Sequence, residues 1–264
     1  MKINIFGLRI YLNQGIISIL SAIALALTIW VCYQPRVYSH SHRAKNQLSE
    51  VALIANSNIY QTTKTFAQFQ PKYTVAAIHP SNYGDRYTTD VNGKILTNQP
   101  LAVLHETVGS AMSAINLFRT PNRLDSQQVS YHALITLDGT IIYLVPAEKR
   151  AFGAGNSAFK SSTGTEAVQT NPNLPASVNN FAYHISLETP ADGRGGSSRN
   201  SSHSGYTAKQ YQSLAWLLAI SSIPDERITT HRNVDLSGHR FDPRSFDFER
   251  FFQILHTYRQ PKVS

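Results

Sequence analysis

Residues 129–155 read VSYHALITLDGTIIYLVPAEKRAFGAG, and this stretch predicts two β-strands joined by a tight turn. Apolar and β-branched residues dominate Val129–Thr136 and again Ile141–Val145, which is typical of strands. Between them, Leu137–Thr140 contains Asp-Gly, a dipeptide that favours a short hairpin turn. We therefore expect an antiparallel hairpin over this stretch.

Regular patterns continue on both sides of the hairpin. Pro100–His105 is a short apolar run that predicts a buried strand ending on a histidine. Thr207 and Gln210 form a capping box, which predicts a helix that continues to about Ser222. The other expected elements are helices over 48–55, 109–119 and 246–258, and strands over 182–189 and 227–231. Interspersed strands and helices predict an α/β fold with a mixed central β-sheet flanked by helices.

Two of the expected strands end on histidines, His105 and His231, and Asp242 follows eleven residues after His231. Ends of neighbouring strands present side chains at one edge of a sheet, so these three could meet. Two imidazoles and a carboxylate form the ligand set of a catalytic zinc site, which keeps its fourth position open. Taken singly, a histidine at a strand end is more often a hydrogen-bonded surface residue. The only cysteine, Cys32, lies far upstream, so no thiolate is expected at this site.

The stretch 129–155 closely resembles the central hairpin of the type 2 N-acetylmuramoyl-L-alanine amidase family, which includes animal peptidoglycan-recognition proteins. His105 in Val-Leu-His-Glu-Thr, His231 in Thr-Thr-His-Arg and Asp242 in Phe-Asp-Pro match the three zinc ligands of that family. His184-Ile-Ser-Leu-Glu188 resembles the family's strand that ends in the catalytic glutamate. The resemblance covers roughly residues 98–255 and keeps the order of the motifs.

The resemblance implies zinc-dependent hydrolysis of the amide between the lactyl group of N-acetylmuramic acid and L-alanine. The substrate would be peptidoglycan or a muropeptide, and Zn²⁺ would be the cofactor. Glu188 would act as the general base, and Tyr131 and Arg240 would stabilise the developing oxyanion. His132, His184 and His239 are not interpreted as ligands. The serine- and glycine-rich stretch 192–205, with His203, is expected to form a mobile rim.

The chain departs from the family pattern at three places. Arg240 stands where the family usually has lysine, and arginine stays charged and cannot donate a proton. Phe152-Gly153 stands where the family often has Trp-His. Sliding the strand 182–189 by two residues in the alignment would put Ser186, instead of Glu188, at the position of the base; both face the same side of a strand.

Two other functions remain compatible with these residues. One is a peptidoglycan-binding receptor without turnover, although receptors of that kind have lost a zinc ligand and this chain has all three. The other is a zinc peptidase that cuts within the stem peptide. The pattern leaves the oligomeric state open.

The N-terminal region differs in character from the rest. No charge occurs between Arg9 and Arg36, and the apolar stretch 15–33 is long enough to cross a bilayer. We expect a transmembrane anchor over residues 1–35, a stalk or packing extension over 36–70 and a catalytic domain over 71–264. The domain would face the periplasm or cell envelope, or would be secreted if the anchor is a cleaved signal peptide.

The positive charge of the chain is not a signature of nucleic-acid binding. Residues 1–50 hold half of the net charge of +8, because Lys2, Arg9, Arg36, Arg43 and Lys45 are opposed there by Glu50 alone. Basic residues that flank an apolar segment favour an anionic membrane surface. Nucleic acid is therefore not an expected partner.

Overall fold

A computed structural model describes residues 2–5, 8–11 and 59–262 of the chain. The strands are β1 (Lys2–Ile5), β2 (Leu8–Tyr11), β3 (Tyr60–Thr62), β4 (Tyr73–Val75), β5 (Tyr83–Asp85), β6 (Leu101–Glu106), β7 (Ala133–Ile135), β8 (Ile141–Tyr143), β9 (Lys149–Ala151), β10 (Phe159–Ser161), β11 (Gly164–Glu166), β12 (Ala182–Leu187), β13 (Ile228–Thr230) and β14 (Arg259–Pro261). The helices are α1 (Lys64–Gln68), α2 (Ala111–Arg119), α3 (Ala208–Ala219), α4 (His231–Val234) and α5 (Phe248–Tyr258).

Six strands form the central sheet, in the order β13-β6-β12-β7-β8-β4. The first four lie parallel to one another, β8 runs antiparallel to β7, and β4 runs parallel to β8. Every residue of β6 and β12 is buried, as expected for central strands of a parallel sheet that is covered on both faces. The predicted mixed α/β fold is confirmed.

Helices cover both faces of this sheet. On one face, Leu104, Ile135 and Ile185 belong to the same buried cluster as Leu214 of α3 and Phe251 of α5. On the other face, α2 packs its buried side chains, which include Ile115 and Phe118, against Leu134 and Ile142. Burying such aliphatic and aromatic side chains stabilises the fold by about 1.5–3 kcal/mol each.

The predicted hairpin forms, with shorter strands than the pattern indicated. Ile135 pairs with Ile141, and the turn places Gly139 at a φ of 84°. Before β7, the backbone of His132 still bonds Leu144 and His184, both at 2.9 Å, but the pairing stops at Ser130. Its hydroxyl donates to Asn82 O at 2.5 Å and its amide to Phe152 O at 3.3 Å. Tyr131 and His132 therefore lie just before the strand rather than within it.

The predicted capping box at the start of α3 is present. Thr207 Oγ1 accepts from the amide of Gln210 at 3.1 Å, and Gln210 Oε1 accepts from the amide of Thr207 at 3.0 Å. The helix ends at Ala219, three residues before the predicted end.

The described part of the 36–70 extension packs against the domain. β3 pairs with β14 at the end of the chain. Phe66 stacks on Trp216 at a centroid distance of 5.4 Å, and Phe69 stacks on Tyr258 at 5.7 Å. Residues 59–70 of the extension therefore contact the domain.

The N-terminal strands β1 and β2 pair antiparallel with each other and belong to a unit separate from the rest of the chain. The predicted membrane segment 15–33 and the predicted helix over 48–55 lie outside the described residues. Among the residues that the structure does describe, no helix has the length and apolar character needed to cross a bilayer.

Candidate metal centre

The structure brings together the three residues predicted as metal ligands. One ligand atom from each of His105, His231 and Asp242 lies within 4.8 Å of the other two. His105 Nδ1 is 3.2 Å from Asp242 Oδ2, and His231 Nδ1 is 3.1 Å from Asp242 Oδ1. Two imidazoles and a carboxylate thus converge at one edge of the sheet.

Each of these residues is held by a different local feature. His105 is the fifth residue of the buried strand β6 and is fully buried itself. His231 is the first residue of α4, where the N-cap Thr230 accepts from the amide of Asn233. Asp242 precedes Pro243 in a cis peptide bond, and its carbonyl accepts from the amide of Arg232 at 3.0 Å. β13 is one residue shorter than predicted at each end, and His231 directly follows it.

The electrostatics of the group favour neutral imidazole beside ionised carboxylate. Burial lowers the pKa of His105 to about 4, although its hydrogen bond with Asp242 acts in the opposite direction. Burial alone would raise the pKa of Asp242, but hydrogen bonds with His105 and His231 hold that pKa well below its usual range. Metal ligands must be deprotonated, so His105 and Asp242 are in the states that a metal requires.

Tyr131 lies against this group. Its ring stacks on the imidazole of His105 at a centroid distance of 4.5 Å and meets Phe118 edge-on at 5.3 Å. Burial raises the pKa of its phenol, and the charge of Asp242 raises it further. The hydroxyl therefore keeps its proton at neutral pH and can act as a hydrogen-bond donor.

Arg240 stands on an exposed loop beside the group. Asp235 organises this loop, because its carboxylate accepts from the amides of Ser237, His239 and Arg240. The charge of Arg240 adds to the lowering of the pKa of His105 and opposes the rise in the pKa of Tyr131. Arg240 thus places a positive charge near both residues. His239 is exposed on the same loop and is not part of the ligand group.

The structure does not bring Glu188 into this group, and its contacts do not support the predicted role as general base. Its carboxylate accepts from the amides of Ala111 and Leu137, both at 3.0 Å, and from the guanidinium of Arg194 at 3.1 Å. Ala111 is the first residue of α2, and a carboxylate is favoured at a helix N-terminus. Glu188 therefore ties β12 to α2 and to the hairpin.

Ser186 is the residue of β12 that lies beside His105, because their Cα atoms are partners in the parallel ladder. Its hydroxyl is buried and has no hydrogen-bond partner among the described residues. Serine cannot serve as a general base near neutral pH. The strand position beside the first ligand therefore carries no carboxylate.

His184 contacts His105, and the sequence analysis did not predict this contact. Its Nδ1 lies 2.9 Å from Nε2 of His105, on the side of the ring that faces away from Asp242. Two residues along a strand share a face, so His184 lies on the same face as Ser186. The glycine at position 153, where the family often has histidine, was the one sequence feature that pointed to this contact. A Cβ atom at that position would lie 2.4 Å from Nδ1 of His184.

The expected mobile rim is anchored by a buried ion pair. The carboxylate of Glu106 is fully buried and accepts from Nε of Arg244 at 2.5 Å. His203 Nε2 lies 3.2 Å from the same carboxylate, and Arg244 also donates to Gly193 O at 2.8 Å. His203 therefore has a buried partner, contrary to the expectation, and these bonds hold both ends of the stretch 192–205 to β6.

The donor set fits zinc. Imidazole nitrogen and carboxylate oxygen are common zinc ligands, and three protein ligands leave a position for water or substrate. Calcium and magnesium prefer sites built from oxygen alone. The residues present are therefore compatible with the group that the sequence analysis expected.

Comparison with known proteins identifies the family. The model of the N-acetylmuramoyl-L-alanine amidase family matches residues 97–245, more than half of the 264 residues, and this range includes all the residues predicted for the site. No curated protein matches the chain in sequence.

Several solved structures are similar to the chain. A selenomethionine derivative of AmpD is 24% identical, with a TM-score of 0.46, over 70% of this chain and 94% of that one. AmpD of Citrobacter freundii is 25% identical, with a TM-score of 0.41, over 70% and 90%. The endolysin N-acetylmuramoyl-L-alanine amidase LysCS of Clostridium intestinale is 20% identical, with a TM-score of 0.40, over 71% and 97%. By the match of the family model over residues 97–245, the chain belongs to the type 2 N-acetylmuramoyl-L-alanine amidase family.

Proposed function

We propose that this amidase uses zinc, held by His105, His231 and Asp242, to hydrolyse the bond between the lactyl group of N-acetylmuramic acid and L-alanine. The observation that carries the proposal is the convergence of these three side chains within 4.8 Å, inside the segment that matches the family. The substrate would be peptidoglycan or a muropeptide released from it.

Zinc held by these residues would supply a coordinated water with a pKa lowered to about 7 and would polarise a carbonyl group. The protein's own contribution begins with the ligands, which are buried or nearly so and hold fixed positions. Tyr131 then donates its hydroxyl proton in a hydrogen bond to the oxygen on which negative charge develops. Arg240 adds a positive charge near His105 and Tyr131.

We assign no base role to Glu188 in this mechanism, because its three donors already occupy the carboxylate. With serine at position 186, no carboxylate of β12 is available to take a proton. Tyr131 and Arg240 therefore carry the polar chemistry that the chain adds to the metal.

Product analysis separates this function from its rivals. Purified protein, with and without added zinc after chelation, is incubated with defined muropeptides, and the products are identified by mass spectrometry. The proposal expects a free lactyl carboxylate and an intact stem peptide, formed only in the presence of metal. A cut within the stem would indicate a peptidase, and binding without products would indicate a receptor.

We also propose that the apolar stretch 15–33 anchors the protein and that the catalytic domain lies outside the cytoplasm. The supporting observations are the uncharged stretch between Arg9 and Arg36 and a substrate found in the cell envelope. Protease added to spheroplasts should digest the domain of the full-length protein. Protection of the domain, or a mature form that begins after residue 33, would contradict the anchored arrangement.

A further inference from the structure

We propose that His184 is a positioning residue that holds the imidazole of His105 in the orientation needed to bind metal. The inference deepens the proposed function and rests on the metal centre assigned there. His105 presents Nδ1 to Asp242 at 3.2 Å and Nε2 to Nδ1 of His184 at 2.9 Å. Both rings are fully buried, so each contact replaces one that water would otherwise make.

The two bonds of His105 define where its proton lies. A nitrogen that binds metal carries no proton, so a His105 that uses Nδ1 must be protonated at Nε2. Nε2–H then donates to Nδ1 of His184, and His184 carries its own proton on Nε2. That atom is buried and has no partner among the described residues. His184 therefore gives up one hydrogen bond of its own while it accepts the bond from His105.

The surroundings hold the ring of His184 in this position. Its backbone amide donates to Nδ1 of His132 at 2.9 Å, and the two imidazoles lie nearly parallel, 10° apart at a centroid distance of 5.9 Å. On the other side Gly153 leaves the necessary space. A Cβ atom there would lie 2.4 Å from Nδ1 and 2.5 Å from Cγ of His184, closer than real Cβ atoms approach.

Histidines that bind metal almost always donate their second ring N–H to a partner that fixes the tautomer and the ring direction. The usual partner is a carboxylate, a backbone carbonyl or water. In this chain the partner is a neutral imidazole, which supplies orientation without adding charge. Loss of such a partner typically weakens metal binding by about 10–100-fold.

The test compares variants that keep or remove the acceptor. His184→Leu removes it and fills similar space, whereas His184→Asn keeps an oxygen near the position of Nδ1. Gly153→Ala leaves His184 in the sequence and pushes its ring away. Tyr143→Phe is the matched control, because it removes a buried hydroxyl without a partner from the opposite face of the sheet. Zinc affinity is measured by competition with a chelator, and the ligand field by the visible spectrum of the Co²⁺ form.

We expect about 10–100-fold weaker zinc binding and an altered Co²⁺ spectrum in His184→Leu and Gly153→Ala. His184→Asn and Tyr143→Phe should stay close to wild type. In a His184→Ala background, Gly153→Ala should cause no further loss, because the ring it displaces is gone. If His184→Leu binds zinc as tightly as the wild type, the role of His184 is wrong but the proposed metal centre stands. If the wild-type protein binds no zinc, both the proposed metal centre and the role of His184 are wrong.

A measurement on the unaltered protein applies even if a variant fails to fold. Nitrogen-15 NMR of the zinc-loaded protein should show His105 and His184 both protonated at Nε2, with the His105 proton protected from exchange. Protonation of His184 at Nδ1 would overturn the inference, because the ring could not then accept from His105.

Discussion

At the scale of single residues, the structure supports a chemical role for Tyr131 and a structural role for Glu188. The resemblance assigned the central chemical role to Glu188, but three donors hold its carboxylate at the N-terminus of α2. Tyr131 stacks directly on the first ligand and keeps its proton, because burial and the charge of Asp242 raise its pKa. A conservative substitution of Tyr131 should therefore lower turnover, whereas one of Glu188 should lower stability.

Tyr131→Phe keeps the ring that stacks on His105 and removes only the hydroxyl. We expect kcat to fall by about 10²–10³, the usual cost of one oxyanion donor, while zinc content is unchanged. Steady-state kinetics on a defined muropeptide and metal analysis of the purified variant test this. Turnover near that of the wild type would remove Tyr131 from the mechanism.

Glu188→Gln should act on stability more than on turnover. An amide can accept from only one of the amides of Ala111 and Leu137 with its oxygen, so one buried donor loses its partner. That loss typically costs about 1–3 kcal/mol. We expect a decrease of this size in the free energy of unfolding in urea, with kcat within a few-fold of wild type. A fall of 10² or more in kcat at unchanged stability would restore Glu188 as the base.

At the scale of elements, two adjacent residues of β6 have separate roles on the two faces of the sheet. Successive side chains of a strand point to opposite faces, so His105 faces the metal centre and Glu106 faces the other side. There Glu106 accepts from Arg244, Tyr206 and Thr189 and contacts His203. One strand thus positions a residue of the candidate metal centre and anchors the loop that follows β12.

Glu106→Gln tests this anchoring role. The variant leaves the guanidinium of Arg244 buried without a compensating charge, and breaking a buried ion pair in this way typically costs about 3–5 kcal/mol. We expect a loss of that order in the free energy of unfolding and faster proteolysis within the stretch 192–205. Asp85→Asn is the control, because Asp85 pairs with Lys149 at the surface, where its side chain is 79% exposed. Equal effects of the two substitutions would show that the buried network does not stabilise the loop.

At the scale of the whole molecule, the sheet and the capping box of α3 were predictable from sequence patterns, and the resemblance to the family singled out the three residues that converge. Periodicity and turn residues define elements, and strand ends meet at one edge of a sheet. The contact between His184 and His105 was not predictable, because it depends on the register that places Ser186 beside His105. A short strand that is buried on both faces gives no alternation from which that register could be inferred.

The direction of Glu188 was unpredictable for a related reason. A carboxylate that follows a strand end can turn toward a metal or toward the N-terminus of a neighbouring helix, and the choice depends on where α2 lies. Sequence places α2 along the chain but not in space. Similarly, the polar composition of 192–205 indicated mobility, whereas the buried partner of His203 comes from a residue 97 positions away.

A row of buried imidazoles makes the stability of the whole metal-free molecule depend on pH. Burial lowers the pKa of His105 to about 4, and burial likewise holds the pKa values of His184 and His132 well below the ordinary value. In the unfolded chain these groups titrate near 6.5, so below that pH the unfolded state binds more protons than the folded state. Stability should therefore decrease as the pH falls through 6.5, and the contribution of His105 should continue to decrease until about pH 4.

For His105 alone, this shift predicts a loss of about 2 kcal/mol in the free energy of unfolding between pH 7 and pH 5, with His184 and His132 adding in the same direction. Urea unfolding of the zinc-free protein at both pH values measures the difference. The variant His132→Asn should show a weaker dependence, because its oxygen can still accept from the amide of His184 but the side chain does not titrate. Equal stability at pH 7 and pH 5 would mean that water or a proton acceptor reaches these rings. Because bound zinc stabilises the folded state and itself requires neutral imidazole, the zinc-loaded protein should be more stable at both values and should lose that extra stability as the metal is released at low pH.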